Sequence, residues 1–232
     1  MWDAGAPAVS DPESSLWALM EQVVAAGTER RLAHLRLLDD PFSHRLKEGI
    51  EQEAIDFALA AGQAAAEWIT GKWGKAPEEI AAALRVPVTR SDEPAQAGPS
   101  VLFSEYRDRP PSIILYARSL EETNGLIRAH GLEELLGLAD VTPVHLAHEL
   151  YHHLEGKKLT PGTAGFRIET ARLGPLHFRT GLPSLSEIAA DRFATALLGL
   201  RVPPKTVEFV TLFHLNPDYA WRSLARLQTL PA

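Results

Sequence analysis

The chain of 232 residues contains no cysteine, which excludes both disulfides and thiolate metal ligands. Long apolar runs are missing as well. The most apolar helical stretch, residues 54–69, is interrupted by Asp56, Gln63 and Glu67, so no membrane-spanning helix is expected. Positive charge is in deficit: 23 lysines and arginines stand against 30 acidic residues, a formal net charge of −7. That balance argues against direct nucleic-acid binding, which needs a basic face. The opening residues Met1-Trp2-Asp3-Ala4-Gly5 carry acid where a secretory leader carries positive charge. A cytoplasmic protein without membrane contact is expected. The apolar fraction of 45% is ordinary and suffices for a core.

Residues 1–12 mix Gly, Pro, Ser and Asp without a period and read as a flexible tail. Over residues 14–38 apolar side chains recur at helical spacing, until Asp39-Asp40-Pro41 breaks the pattern. A second helix is expected over 43–70, with Ile50, Ala54, Phe57, Ala58, Ala61, Ala64, Ala65 and Trp68 on one side and Gly71 and Gly74 at its end. These helices make an N-terminal helical extension over residues 13–74, ahead of a unit over 75–232. In that unit Pro77 opens a short helix. Strands are expected at 86–89, 101–106 and 112–117, the last either as a sheet edge able to pair with an extended substrate or as an ordinary buried strand. Ser119-Leu120-Glu121-Glu122 is a capping-box signature for a helix closed by Gly131. Thr142 and Pro143 suit the cap and first position of the next helix, which ends near Glu155. A small hairpin fits 166–169 with 177–179. A helix over 185–200, capped at Ser184 or Ser186, precedes two more over 204–213 and 217–227, the last capped by Asn216. The whole is an α+β chain, mostly helical with a small sheet.

The helix from Thr142 carries His148-Glu149-Leu150-Tyr151-His152, an H-E-x-x-H pattern. Residues four apart share a helical face, so both imidazoles can reach one ion. Glu149 lies beside that face and can take a proton from a metal-bound water. Two imidazoles and a carboxylate hold zinc with a fourth position open. The third donor is expected from Leu185-Ser186-Glu187-Ile188-Ala189-Ala190-Asp191-Arg192. Glu187 would ligate, and Asp191, four residues on, would accept the N–H of His148 and orient it. The plainer alternatives are a His-rich exposed helix, a helix-start carboxylate at Glu187 and an Asp191–Arg pair.

His145 shares the His148 face and is a candidate for substrate contact, or else a surface histidine. His153 is expected to be exposed. A donor for a developing oxyanion is sought among Tyr116, Tyr151, His177, His214 and Tyr219, and the sequence does not choose between them.

The segments Ala147-His148-Glu149-Leu150-Tyr151-His152 and Glu187-Ile188-Ala189-Ala190-Asp191-Arg192-Phe193-Ala194 resemble the ImmA/IrrE family of metallopeptidases. That family shows A-H-E-x-x-H followed by E-x-x-A-[ND]-x-F-A. The resemblance covers residues 75–230. It implies a zincin-like fold of the gluzincin type, with a small twisted sheet over the active-site helix and Zn2+ on His148, His152 and Glu187. It also implies a protein or peptide substrate, such as a helix-turn-helix regulator or repressor. The chain departs from the family in Tyr151, where glycine is common, in the helix inserted from Ser119, and in its N-terminal helices. A zinc metalloendopeptidase is the first expectation. A zinc-containing regulatory module that docks a partner without cutting it, and a hydrolase of non-peptide amides, are the alternatives.

Overall fold

Ser15 caps the first helix, α1 (Leu16–Ala26), its hydroxyl accepting the Ala18 N–H at 3.1 Å. The computed structural model describes residues 15–46, 49–93, 96–97, 100–174 and 176–231, so the expected tail over 1–12 lies outside the described residues. The continuous periodicity over 14–38 resolves into two helices. Gly27 turns the chain where a Cβ would meet the Val23 carbonyl at 2.5 Å, and Thr28 then caps α2 (Glu29–Leu38). A tight turn at Ser43–Arg45 follows, and α3 (Ile50–Trp73) begins seven residues later than the sequence suggests. Its buried face is Ala54, Ile55, Ala58, Ala61, Gly62, Ala65, Ala66 and Ile69. That face is rotated from the expected one, leaving Phe57, Ala64 and Trp68 outside.

After α4 (Pro77–Ala83) come the strands β1 (Val88–Ser91), β2 (Gln96–Ala97), β3 (Ser100–Val101), β4 (Ser104–Asp108) and β5 (Pro111–Tyr116). Among the described residues β2 and β3 pair with each other and with no other strand. The main sheet has the order β1-β5-β4, with β5 parallel to β1 and antiparallel to β4. β5 is therefore the central strand, the buried of its two expected roles, and the reading of it as a free edge is corrected: β1 and β4 are the edges. Ile113 and Leu115 bury β5 because it is flanked on both sides. β5 runs directly into α5 (Ala117–Ala129), so Ser119 sits buried in the first turn and caps nothing.

The chain continues through α6 (Glu133–Leu136), α7 (Thr142–Gly156), the antiparallel hairpin β6 (Ile168–Leu173) and β7 (Leu176–Thr180), α8 (Pro183–Leu198), α9 (Pro204–Leu215) and α10 (Pro217–Thr229). Asn216 caps α10 by accepting the Tyr219 N–H, as its sequence position suggests. The architecture is mixed α+β, about 62% helical with small sheets. One buried cluster runs from Leu16 to Leu227. Among the described residues no helix is long and apolar enough to cross a membrane.

At the centre α3 lies directly on α8. A Cβ on Gly62 would stand 2.2 Å from the Ala189 carbonyl and 2.8 Å from Arg192 Cβ, so only glycine permits this approach. Gly62→Ala is expected to destabilise by about 1–3 kcal/mol through overpacking against backbone. Gly125, inside α5, has nothing within 4 Å of such a Cβ. Gly125→Ala is expected to stabilise by about 0.5–1 kcal/mol from helix propensity. Denaturant midpoints of the two variants should move in opposite directions, and a shared direction would refute the assigned close approach.

Candidate metal centre

α7 is started by two residues that sequence inspection passes over. Asp140 Oδ1 accepts the Thr142 N–H at 2.9 Å, and Asn124 Oδ1 accepts the Val141 N–H at 2.9 Å. Asn124 Nδ2 also donates to Asp140 Oδ1 at 2.8 Å. Thr142 is thus the first helical residue and not the cap. Burial raises the Asp140 carboxyl, but the bonds from Thr142 and Asn124 outweigh it and hold its pKa below the ordinary value. A depressed carboxylate contributes stability above its ordinary titration range and loses it as pH falls through the lowered value. Asp140→Ala is expected to destabilise by about 1 kcal/mol at neutral pH. Urea midpoints of variant and wild type should converge in acid; a gap that persists there would exclude the charged cap.

The inner face of α7 is apolar: Leu146, Ala147, Leu150, Tyr151 and Leu154 are buried. The opposite side carries His148, Glu149 and His152 toward an open cleft of about 530 Å³. Leu102, Ser104, Glu105, Tyr106, Glu155 and Glu187 complete much of its lining. His148 Nε2 lies 3.2 Å from His152 Nε2 and 3.2 Å from Glu187 Oε2, and His152 Nε2 lies 3.3 Å from Glu187 Oε1. These three residues offer donor atoms within 4.8 Å of one another and could hold a metal ion.

The other ring nitrogen of each histidine is also engaged. His148 Nδ1 is 3.0 Å from Asp191 Oδ1. His152 Nδ1 is 3.1 Å from Ser186 Oγ, whose hydroxyl donates to Glu155. With Ser186 donating onward, its oxygen is left to accept the His152 Nδ1–H, which leaves the lone pair of Nε2 free to face the cleft. Ser186 is a capping candidate by sequence, yet α8 starts at Pro183 without a side-chain cap. Ser184 is no cap either: its N–H goes to Asp40 Oδ2 at 2.9 Å.

Asp191 stands beside His148 at one oxygen and receives an arginine at the other. Arg36 of α2 donates Nε to Asp191 Oδ2 at 3.1 Å and Nη2 to Glu208 Oε1 at 2.7 Å. Burial would raise the Asp191 carboxyl, but Arg36 and then His148 hold it below the usual carboxylate range. Burial likewise opposes Glu187, and His148 and His152 overcome it, leaving its pKa far below the ordinary value. Burial disfavours the charged form of His148, yet bonds to Asp191 and Glu187 push its pKa well above the ordinary value. The cluster is therefore built to favour positive charge between its carboxylates.

Glu149 is buried, and its Oε1 accepts the Ser104 hydroxyl at 2.7 Å. This bond is the first rung of a ladder between β4 and α7. Tyr106 Oη stands 3.2 Å from His153 Nδ1, and Lys157 Nζ donates to Asp108 Oδ1 at 2.7 Å. His153, expected at the surface, is buried by this packing.

The remaining candidates fall outside the donor cluster. His145 stacks on Phe103 with ring centroids 4.4 Å apart, and burial together with His148 pushes it down to about 4. Tyr151 is fully buried against Phe193, and its hydroxyl has no hydrogen-bond partner among the described residues. It faces the core because it stands on the inner side of α7, so it cannot meet a substrate in the cleft. Tyr116 donates its hydroxyl to Glu105 Oε2 at 2.8 Å and reaches the cleft only through that glutamate. His177 pairs with Glu169 across the β6–β7 hairpin, exposed. His214 and Tyr219 are exposed around the α9–α10 junction. Ser104, Ser186 and Arg36 are the site residues that sequence reasoning misses, because each is placed by tertiary packing. Comparison of the chain with family models, with curated proteins and with solved structures gives no match.

Proposed function

We propose that the chain is a zinc-dependent endopeptidase of the gluzincin kind that cuts a specific protein partner. One observation carries the reading: His148 Nε2 and His152 Nε2 stand 3.2 Å apart, and they lie 3.2 and 3.3 Å from the two oxygens of Glu187, one oxygen each. Four-coordinate zinc with bonds of about 2.0–2.1 Å requires donor–donor edges of about 3.3–3.4 Å. The residues therefore fit the ion, and His148, His152 and Glu187 would hold it. When bound, zinc supplies Lewis acidity to a water and to the acyl oxygen under attack.

The protein side chains supply the rest. Asp191 and Ser186 hold the two Nδ1 atoms, so both Nε2 lone pairs converge on one point. Ser104 ties down one oxygen of Glu149 and leaves the other to accept the proton of the attacking water and to return it to the leaving amine. β4 forms one wall of the cleft, and among the described residues no strand pairs with its outer edge. An extended peptide could add to that edge through its backbone, bringing its scissile bond beside Glu149. The cleft is open, which favours a chain-like substrate over a small amide enclosed on all sides. The resemblance to the ImmA/IrrE metallopeptidases points to a helix-turn-helix regulator as that chain. Glu149 argues against a docking module that does not cut, since docking has no use for a positioned base.

Metal analysis of the purified protein should find about one zinc per chain in wild type and in Glu149→Gln, because Glu149 is not a ligand. Chelation should lower the Tm of both, since an ion bound only by the folded state stabilises it. A co-expressed helix-turn-helix regulator encoded beside the chain should be cleaved by the wild type and left intact by the variant. Wild type without zinc would end this reading. Zinc in both, with the same effect on the regulator, would replace it by partner docking.

A further inference from the structure

We propose that Arg36 is a positioning residue of the metal centre, which makes α2 a component of the site. The proposal rests on the reading above only in that His148, His152 and Glu187 hold zinc. Three carboxylates from two helices converge on this one guanidinium. Nη2 is 2.9 Å from Asp191 Oδ2 and 2.7 Å from Glu208 Oε1, and Nη1 is 3.7 Å from Glu187 Oε2. The side chain is only 17% exposed.

The geometry defines a relay. Asp191 gives Oδ2 to Arg36 and Oδ1 to His148 Nδ1, so its carboxylate plane is fixed from both ends. A carboxylate held at one oxygen rotates; held at both, it dictates the azimuth of the imidazole. The planar fork of arginine also spans Asp191 and Glu208 together, which an ammonium cannot do with the same directionality. Glu208 in turn is held by Lys205, so Arg36 is itself braced.

Arg36 is not needed merely to fasten α2. Glu29 of α2 binds Arg192 at 2.9 Å, and Asp40 just after α2 accepts the Ser184 N–H at 2.9 Å. Glu29, Arg36 and Asp40 thus meet Arg192, Asp191 and Ser184 in reverse order, an antiparallel splint along α8. The outer two contacts hold the helices together without touching the cluster. The middle one is aimed at a ligand and at the residue that orients another.

The test compares Arg36→Lys and Arg36→Gln with Arg192→Lys, a matched change at the neighbouring contact of the same two helices. Zinc affinity is measured by competition with a chromophoric chelator, and ligand geometry by the visible absorption of the cobalt(II)-substituted protein. Both Arg36 variants should bind zinc about tenfold more weakly or worse, the usual effect of losing an outer hydrogen-bond partner. Their cobalt bands should shift, with Arg36→Lys closer to wild type than Arg36→Gln. Arg192→Lys should lose thermal stability and keep wild-type affinity and spectrum. Wild-type affinity and spectrum in Arg36→Lys, or equal losses in Arg36→Lys and Arg192→Lys, would overturn the proposal while leaving the zinc reading intact. A wild type that binds no zinc would remove both.

Discussion

His148 is gripped at both ring nitrogens by carboxylates that stand one helical turn apart on α8. Because the imidazole is rigid, that grip fixes the separation of α7 and α8 and the rotation of each about its axis. Glu187 and Asp191 can reach the two nitrogens only if α8 presents one particular face. The backing for that face is α3, whose Gly62 lets the two backbones touch beside Ala189. The alanines around it, Ala58, Ala61 and Ala65, keep the contact close. Larger residues on α3 would push α8 outward and pull Glu187 away from the imidazoles. The polar centre thus depends on an apolar contact made of the smallest side chains.

The same centre concentrates buried charge. Arg36, Glu208, Lys205, Asp191, Glu187 and His148 are linked by bonds of 2.5 to 3.2 Å. Isolating Arg36, Asp191 or His148 from its partners would leave an uncompensated charge largely away from water. Such networks contribute little net stability against an apolar core but penalise every alternative arrangement. Their members come from α2, α7, α8 and α9, so those four helices share one correct mutual position.

Legibility in the sequence follows the range of the interactions. The pairs His148 with His152 and Glu187 with Asp191 are readable because helical spacing alone puts each pair on one face. That the two pairs meet is a tertiary fact which the letters only suggest. Ser186 and Ser119 read as caps because serine near a helix start usually is one, yet packing recruits the first to His152 and buries the second. Arg36 lies 155 residues from Asp191, and no local pattern announces it. Whether β5 is an edge is not legible, because an apolar β-branched run says that a strand is buried without saying how many neighbours it has. The buried face of α3 is hard to read for a related reason: Phe57 and Trp68 look like core, but Gly62 and Ala66 permit the closer approach and win it.

The ladder between β4 and α7 joins two rulers with different graduations. Two residues of strand advance about 6.7 Å, and four residues of helix advance about 6 Å. Ser104–Glu149, Tyr106–His153 and Asp108–Lys157 are successive marks on both scales. The mismatch is small enough to absorb over three rungs and grows with each one, while the twist of the strand adds to the divergence. The two scales can therefore stay in step for only a short distance. The stretch of strand held alongside α7 has a natural length set by this beat, and its last rung is Lys157, the residue that caps the end of α7. A single-residue insertion within β4 would shift every later mark by half a period and turn its side chains to the opposite face, whereas one in the turn before β5 would leave all three marks aligned.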